Sequence, residues 1–531
     1  MKKKTFFILV LISLAALFLN LYKKDAAPPS FNADEAAFGY NAYSIAQTGK
    51  DEYGALLPLR LKSYGDYTLP LYSYLSVPAI KLFGLSETSS RMLNTLLAVL
   101  FPFAMFALVK ELFEKDKPAI LAALVSGLSW GSLSISRQAH EAYLSVFLIT
   151  LSFYFFVRLT KKITPKNITL FLISSLLLLF SYQSGRIFGL LFFILSLFYF
   201  WREKAGRKIV LLLFTVLLLF SITDVIYQPK RVGNLLFFNT PGFSLKINEL
   251  RSEGGSRLVY NKLAVAKKEF LNSYAKYFSP QFLFIEGDEN PRFGFKDMGP
   301  VTALEYVFLF IGLYYLFKKK ERYRYLLLAL LLISPVPAAL SWAGVSLTRS
   351  LFFLIPVLII VSYGMWQLYL SVPKKYSLFL LVFLILAELS LLFYTWDFYL
   401  NHYPKRSLVQ RAWETGNREL AAYVKENYDK YDRFYITRKN GQPYIFLLFY
   451  MKYPPEKYQQ QARLSSPDEY GFGQVEQFDK FTFSTSRIDK KNEKYVIIGY
   501  PDDFNGLDID RSKIKKITIG TQEIFWIYEV R

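Results

Sequence analysis

Two acidic motifs and four arginines are the residues of this sequence whose types and spacing could do chemistry. The first motif is Phe31-Asn32-Ala33-Asp34-Glu35-Ala36-Ala37-Phe38-Gly39-Tyr40. Asn32 with Glu35 three residues on forms a capping box, and Asp34 suits the positive end of the helix that the box would start. The two carboxylates then divide their work: Glu35 serves the cap, and Asp34 is left to take a proton from a substrate. The second motif, Arg137-Gln138-Ala139-His140-Glu141, lies in a tight turn between two apolar runs. A carboxylate in that position can simply reach interfacial water. Glu141 would nevertheless sit at the same membrane face as Asp34, and two acids on one face suit catalysis.

Arg91, Arg137, Arg186 and Arg349 all fall at ends of apolar runs. Planar guanidinium forks suit bidentate capture of phosphate, whereas a carboxylate partner or snorkelling is the plainer role for any single one. As a set they point to phosphate binding. His140 and His402 are too few for a histidine metal cluster, although Asp34 and Glu141 could hold Mg2+ or Mn2+ through oxygen. The chain has no cysteine, which removes thiolate zinc sites, disulfides and a cysteine nucleophile. It carries no Walker loop or dinucleotide fingerprint.

The elements that must position these groups are set by composition. Of 531 residues 53% are hydrophobic and 18% aromatic, more apolar surface than one soluble core hides. Apolar runs long enough to cross a hydrocarbon layer are expected at 5–22, 88–109, 119–136, 142–159, 168–183, 187–201, 209–227, 301–317, 326–341, 351–370 and 377–396. This is a polytopic α-helical membrane protein of about eleven spans. The first run follows Lys2-Lys3-Lys4 and reads as a retained span, because Leu21-Tyr22-Lys23-Lys24 offers no small-residue cleavage site.

The net charge of +22 is not gathered into one patch with interleaved aromatics, so a nucleic-acid partner is not indicated. The basic residues cluster in alternate connections instead: Lys110, Lys115 and Lys117; Arg158, Lys161, Lys162 and Lys166; Arg202, Lys204, Arg207 and Lys208; Lys318, Lys319, Lys320, Arg322 and Arg324; Lys374 and Lys375. By the positive-inside bias these and the N-terminus face the cytoplasm. The outward segments are then 23–87, the turns near 137–141, 184–186 and 342–350, the long loop 228–300, and everything after about 397. The chain thus reads as a transmembrane domain, 1–396, followed by an extracytoplasmic domain, 397–531. The tail is richer in charge, with strands expected at 433–436, 495–499 and 524–530 and helices at 411–427 and 444–453, a small mixed α/β domain.

The order of several short motifs carries a resemblance. Asn32-Ala33-Asp34-Glu35 opens a loop that runs through Lys62-Ser63-Tyr64-Gly65-Asp66-Tyr67-Thr68-Leu69-Pro70-Leu71-Tyr72 to Ser90-Arg91. Then follow Ser136-Arg137-Gln138-Ala139-His140-Glu141, Ser181-Tyr182-Gln183-Ser184-Gly185-Arg186, Tyr277-Phe278-Ser279-Pro280 and Thr348-Arg349-Ser350. In this series the chain resembles the GT-C membrane glycosyltransferases, more narrowly the branch of protein O-mannosyltransferases and the lipid A aminoarabinose transferase. The resemblance covers most of the chain and weakens after about residue 400.

It implies inverting transfer of a hexosyl or pentosyl group at the plasma membrane, from a polyprenyl-phosphate sugar to a lipid, glycan or protein acceptor. The family's base maps onto Asp34 and its second acid onto Glu141, where relatives more often carry aspartate. Arg349, Arg186, Arg91 and Arg137 would meet the donor phosphate, supported by Glu35, His140 and Tyr182.

Two other classes fit less well. A transporter or lipid flippase places ionisable groups near the midplane on broken helices, within repeated halves. Here the spans are nearly free of charge, Asp224 being the partial exception, and no internal repeat is seen. A membrane scaffold would not need acids and arginines gathered on one face.

Overall fold

The computed structural model describes residues 2–63, 66–202, 215–217, 236–254, 256–294, 298–342, 344–439, 441–466, 473–485, 488 and 494–530. Apart from 215–217, the expected span at 209–227 with Asp224 lies outside them, as do Lys204, Arg207 and Lys208. The chain divides into two compact units, Met1–Lys24 with Asn94–His402, and Asp25–Leu93 with Tyr403–Arg531.

The first unit is helical. Among the described residues, six helices are long and apolar enough to cross a membrane: Lys3–Leu21, Glu87–Phe113, Glu141–Lys161, Gln183–Phe200, Leu347–Ser371 and Lys374–Lys405. Asp116–Leu128 with Trp130–Ser136 passes as one span bent by 50°. The bend falls at Ser129, whose ψ of 123° leaves the helical region. Shorter apolar helices, Pro165–Leu179, Arg324–Ala339 and Ala303–Lys318, fall on the remaining expected spans. The protein is therefore a polytopic helical membrane protein. Where the helices Ala303–Lys318 and Leu354–Ser371 cross, Gly312 faces Gly364, and a Cβ on either would strike the opposite backbone. Small residues at such a crossing let two spans pack by close backbone approach, which in lipid replaces the hydrophobic drive.

The second unit is built on a seven-stranded mixed sheet in the order β4-β5-β6-β3-β7-β9-β8. The strands are β3 Arg433–Ile436, β4 Arg463–Leu464, β5 Val475–Phe478, β6 Phe481–Thr482, β7 Tyr495–Gly499, β8 Lys515–Ile519 and β9 Gln522–Val530, while Leu61–Ser63 (β1) and Asp66–Thr68 (β2) form a separate hairpin. Strand β3 pairs in parallel with β6 and β7, and these central strands bury nearly every side chain, as strands covered on both faces do.

The expected helix at 411–427 is two, Ser407–Ala412 and Asn417–Asn427. The break comes where Glu414 and Gly416 take positive φ angles of 52° and 97°, and the Gly416 turn lies against Ile524 and Phe525. The helix expected at 444–453 is Pro443–Tyr450. Residues 25–93, read from sequence as the outward segment 23–87 and the start of the 88–109 span, supply part of this unit's core. Phe31, Ala36, Ala37, Tyr40, Ile80 and Leu85 pack in one cluster with Leu420, Val424, Phe434, Phe446 and Ile498.

Candidate functional site

In the second unit the helix Ala33–Thr48 starts from the expected capping box. Asn32 Oδ1 accepts from Glu35 N at 3.1 Å, and Glu35 Oε2 accepts from Asn32 N at 3.3 Å. Glu35 is also clamped by Arg91, whose Nε donates to Oε1 at 2.8 Å and whose Nη2 donates to Oε2 at 2.7 Å. The same Nη2 donates to Ser30 O at 2.8 Å, and the guanidinium lies 5.1 Å from the Phe31 ring centroid. Glu35 is 1% and Arg91 2% exposed. Asp34, one residue earlier, points to the exposed side of the first turn.

A pair this deep is costly to break, because the remaining charge stays buried. Arg91→Ala should lower stability by about 3–5 kcal/mol, read as a fall in melting temperature of the purified protein. A variant that melts like the wild type while losing donor affinity would return Arg91 to phosphate binding.

In the first unit, four separate segments meet around Tyr182. The helix Glu141–Lys161 is capped by His140, whose Nδ1 accepts from Ala142 N at 3.1 Å. That leaves any proton of the neutral ring on Nε2. The turn below it is tied by Asn94 Nδ2, which donates to the carbonyls of Gln138 and His140 at 2.8 Å each. The His140 ring packs edge-on against Tyr182 at 5.8 Å and Phe293 at 5.4 Å. Glu141, partly exposed, occupies the first helical position, where the helix dipole favours an anion. Burial pushes the Tyr182 hydroxyl up, the positive charge of Arg349 pulls it down and Glu141 adds to the rise. Tyr182 thus feels both groups.

Arg349 stands on a buried shelf formed by Ser346, Leu347, Thr348 and Ser350. Its guanidinium is partly exposed, lies 5.5 Å from the Trp342 ring centroid, and makes no hydrogen bond or ion pair with the described residues. The shelf is fixed from the loop opposite. Asp288, 5% exposed, accepts from Leu347 N at 2.5 Å and from Asn290 N at 2.7 Å. Burial raises its carboxyl to about 6, against the hydrogen bonds and Arg349, which lower it. Tyr277 accepts from Ser346 N at 2.9 Å and donates to Gly344 O at 3.4 Å.

The remaining arginines are engaged with helix ends. Arg137 is fully buried and donates to Asn20 O at 3.1 Å, to Tyr22 O at 3.0 Å and to Leu19 O, with Tyr399 and Trp396 beneath it. It satisfies the open carbonyls that end the Lys3–Leu21 helix. Arg186 Nε donates to Leu179 O at the end of Pro165–Leu179, and its guanidinium is partly exposed.

His140, Glu141, Tyr182 and Arg349 are thus brought together, while Asp34, Glu35 and Arg91 belong to the other unit. Among the described residues no three His, Cys, Asp or Glu side chains gather where they could hold one metal ion. Asp288 was not singled out from sequence. Its local signal, Asp288-Glu289-Asn290-Pro291, reads only as a turn.

No protein-family model and no curated protein matches the sequence. Solved structures do match. ArnT from Cupriavidus metallidurans bound to undecaprenyl phosphate superposes with a TM-score of 0.54 at 11% identity, covering 99% of this chain and 98% of that one. The oligosaccharyltransferase AglB from Archaeoglobus fulgidus, in complex with an inhibitory peptide and a dolichol-phosphate, gives 0.51 at 14% identity over 84% of this chain and 63% of that one. The Archaeoglobus fulgidus oligosaccharyltransferase with Zn and sulfate gives 0.53 at 14% identity over 83% and 61%. The chain therefore spans less than two thirds of the oligosaccharyltransferase. At these identities the likeness establishes the fold: this is a GT-C fold with a C-terminal sheet region.

Proposed function

We propose, from this GT-C fold, that the protein is an inverting glycosyltransferase that moves a sugar from a polyprenyl-phosphate-linked donor to a lipid, glycan or protein acceptor. The observation that carries the reading is Arg349, a guanidinium with no ion pair among the described residues, held on a buried shelf beside Tyr182, His140 and Glu141. A polyprenyl phosphate leaves the anomeric carbon already anionic. The reaction therefore asks for no general acid, only a cation at the phosphate and a base for the acceptor proton. Arg349 is the cation, with Arg186 second to it. Arg91 and Arg137 are spent on Glu35 and on helix-end carbonyls. Asp34 is the base, left exposed because Glu35 does the capping. Glu141 holds the donor sugar by accepting from its hydroxyls.

Undecaprenyl phosphate in ArnT and dolichol-phosphate in AglB are ligands of the chemical class this reading requires. The alternating basic connections support a plasma-membrane orientation with the N-terminus cytoplasmic and His140, Glu141 and Arg349 outside.

The test is release of polyprenyl phosphate from a panel of polyprenyl-phosphate hexoses and pentoses by the purified protein in nanodiscs. Glu141→Gln should lower transfer by about 10–100-fold, the loss of a charged hydrogen bond, and leave the melting temperature unchanged. No release above background across the panel sinks the reading, and wild-type transfer by Glu141→Gln leaves that residue as a helix-end charge.

A further inference from the structure

The end of the Glu141–Lys161 helix remote from His140, about 30 Å away along the helix axis, carries a charged cavity. Its volume is about 430 Å3, and four cations, Arg158, Lys161, Lys162 and Lys166, line it against a single carboxylate, Glu111. Two of the cations are already held. Lys161 pairs with Glu114 at 2.7 Å and Glu111 at 3.3 Å, and Arg158 Nη1 donates to the Tyr154 hydroxyl at 3.2 Å. Lys162 and Lys166 are exposed and make no ion pair or hydrogen bond through their amines with the described residues.

The backbone between them is fixed. Thr164 caps the Pro165–Leu179 helix by accepting from Asn167 N at 3.2 Å, and Asn167 Nδ2 donates to Lys162 O at 3.0 Å. Two unmatched ammonium groups on a rigid wall, in a cavity within the size range of ligand sites, make a place for an anion.

The helix bearing Lys166 indicates which anion. Ile173 and Leu177 follow Lys166 by steps of seven and four, so the three share one face, and the two apolar side chains are 49% and 37% exposed. A free phosphate would use the lysines and leave that face bare. A phospholipid would use both, its head group in the cavity and its acyl chains along Ile173 and Leu177. The positive-inside bias puts this end at the cytoplasmic leaflet, where anionic lipids gather. We propose that the cavity lined by Arg158, Lys161, Lys162 and Lys166 binds the phosphate head group of an anionic phospholipid. The inference is independent of the sugar-transfer reading.

Native mass spectrometry of the delipidated protein, titrated with phosphatidylglycerol or phosphatidylcholine, tests it. Lys162→Gln with Lys166→Gln should weaken phosphatidylglycerol binding roughly thirtyfold, at about 1 kcal/mol for each lysine. Phosphatidylcholine binding and the lipid-free melting temperature should not change. The matched control, Lys318→Gln with Lys319→Gln, removes the same charge from another basic connection and should leave phosphatidylglycerol binding as in the wild type. An equal loss in that control, or no loss in the Lys162/Lys166 pair, overturns the site. Competition by inorganic phosphate at equal concentration makes it a soluble-anion site and overturns the lipid assignment.

Discussion

Asp34→Asn is expected to cut sugar transfer by about 10²–10⁴-fold with donor affinity retained, the signature of a lost base rather than a lost binding contact. The substitution is close to isosteric, and the cap and the clamp at this helix start are made by other residues. Asn32 and Glu35 form the reciprocal cap, and Arg91 clamps Glu35. At the helix end Asp34 also places a negative charge in the first turn, worth about 0.3–1 kcal/mol where exposed. The expected catalytic loss corresponds to about 3–5 kcal/mol, so the two roles separate by magnitude. Transfer and donor binding by the purified variant in nanodiscs, alongside its melting temperature, make the measurement. Full transfer activity removes Asp34 from the mechanism. A large fall in melting temperature instead makes it a structural residue.

The parts of this molecule that were legible in the sequence are those decided by local pattern. The capping box at Asn32 and Glu35 was legible because both partners lie within one turn, and strands 433–436 and 495–499 because they are continuous apolar runs buried on both faces. Strand β8, Lys-Lys-Ile-Thr-Ile, was not, since an edge strand exposes its lysines and carries only half a pattern. Strands β4 and β6 have two residues each, too few for any periodicity. The surroundings of the arginines were not legible. Nothing near Arg91 or Arg137 in sequence announces Glu35, 56 residues away, or the carbonyl of Asn20, 117 away. Four arginines that looked equivalent therefore divide by long-range contact. Residues 25–93 carry the same lesson: nothing local to Phe31 or Tyr40 announces Phe449 or the Tyr453 carbonyl that pack on them.

That division makes Arg349 the arginine whose removal should be felt at the ligand rather than in the fold. Arg349→Ala is expected to weaken binding of the polyprenyl-phosphate donor by about 10–150-fold, the 1.5–3 kcal/mol of a lost charge-assisted hydrogen bond, and to slow transfer as well. Stability should change less than donor binding, because the guanidinium gives up its contact with Trp342 and its attraction for Asp288 and Tyr182 but no hydrogen bond or ion pair among the described residues. Lysine should rescue in part, since an ammonium keeps the charge and loses the bidentate fork. Asp288 supplies an internal check. Its carboxyl, at about 6, accepts from Leu347 N as an anion above that pH and loses that charge below it. Because burial raises this carboxyl above its ordinary range, protonation relieves a buried charge, and the shelf should hold as the pH falls through about 6. Loss of the negative charge that offsets Arg349 should at the same time strengthen wild-type donor binding. Arg349→Ala lacks the guanidinium that this charge offsets, so its residual affinity should change less over the same range. Donor titrations of wild type, Arg349→Ala and Arg349→Lys between pH 5 and 8 decide the point. Unchanged affinity in Arg349→Ala sinks the phosphate assignment and moves it to Arg186, a half-buried arginine four residues from Tyr182 in sequence.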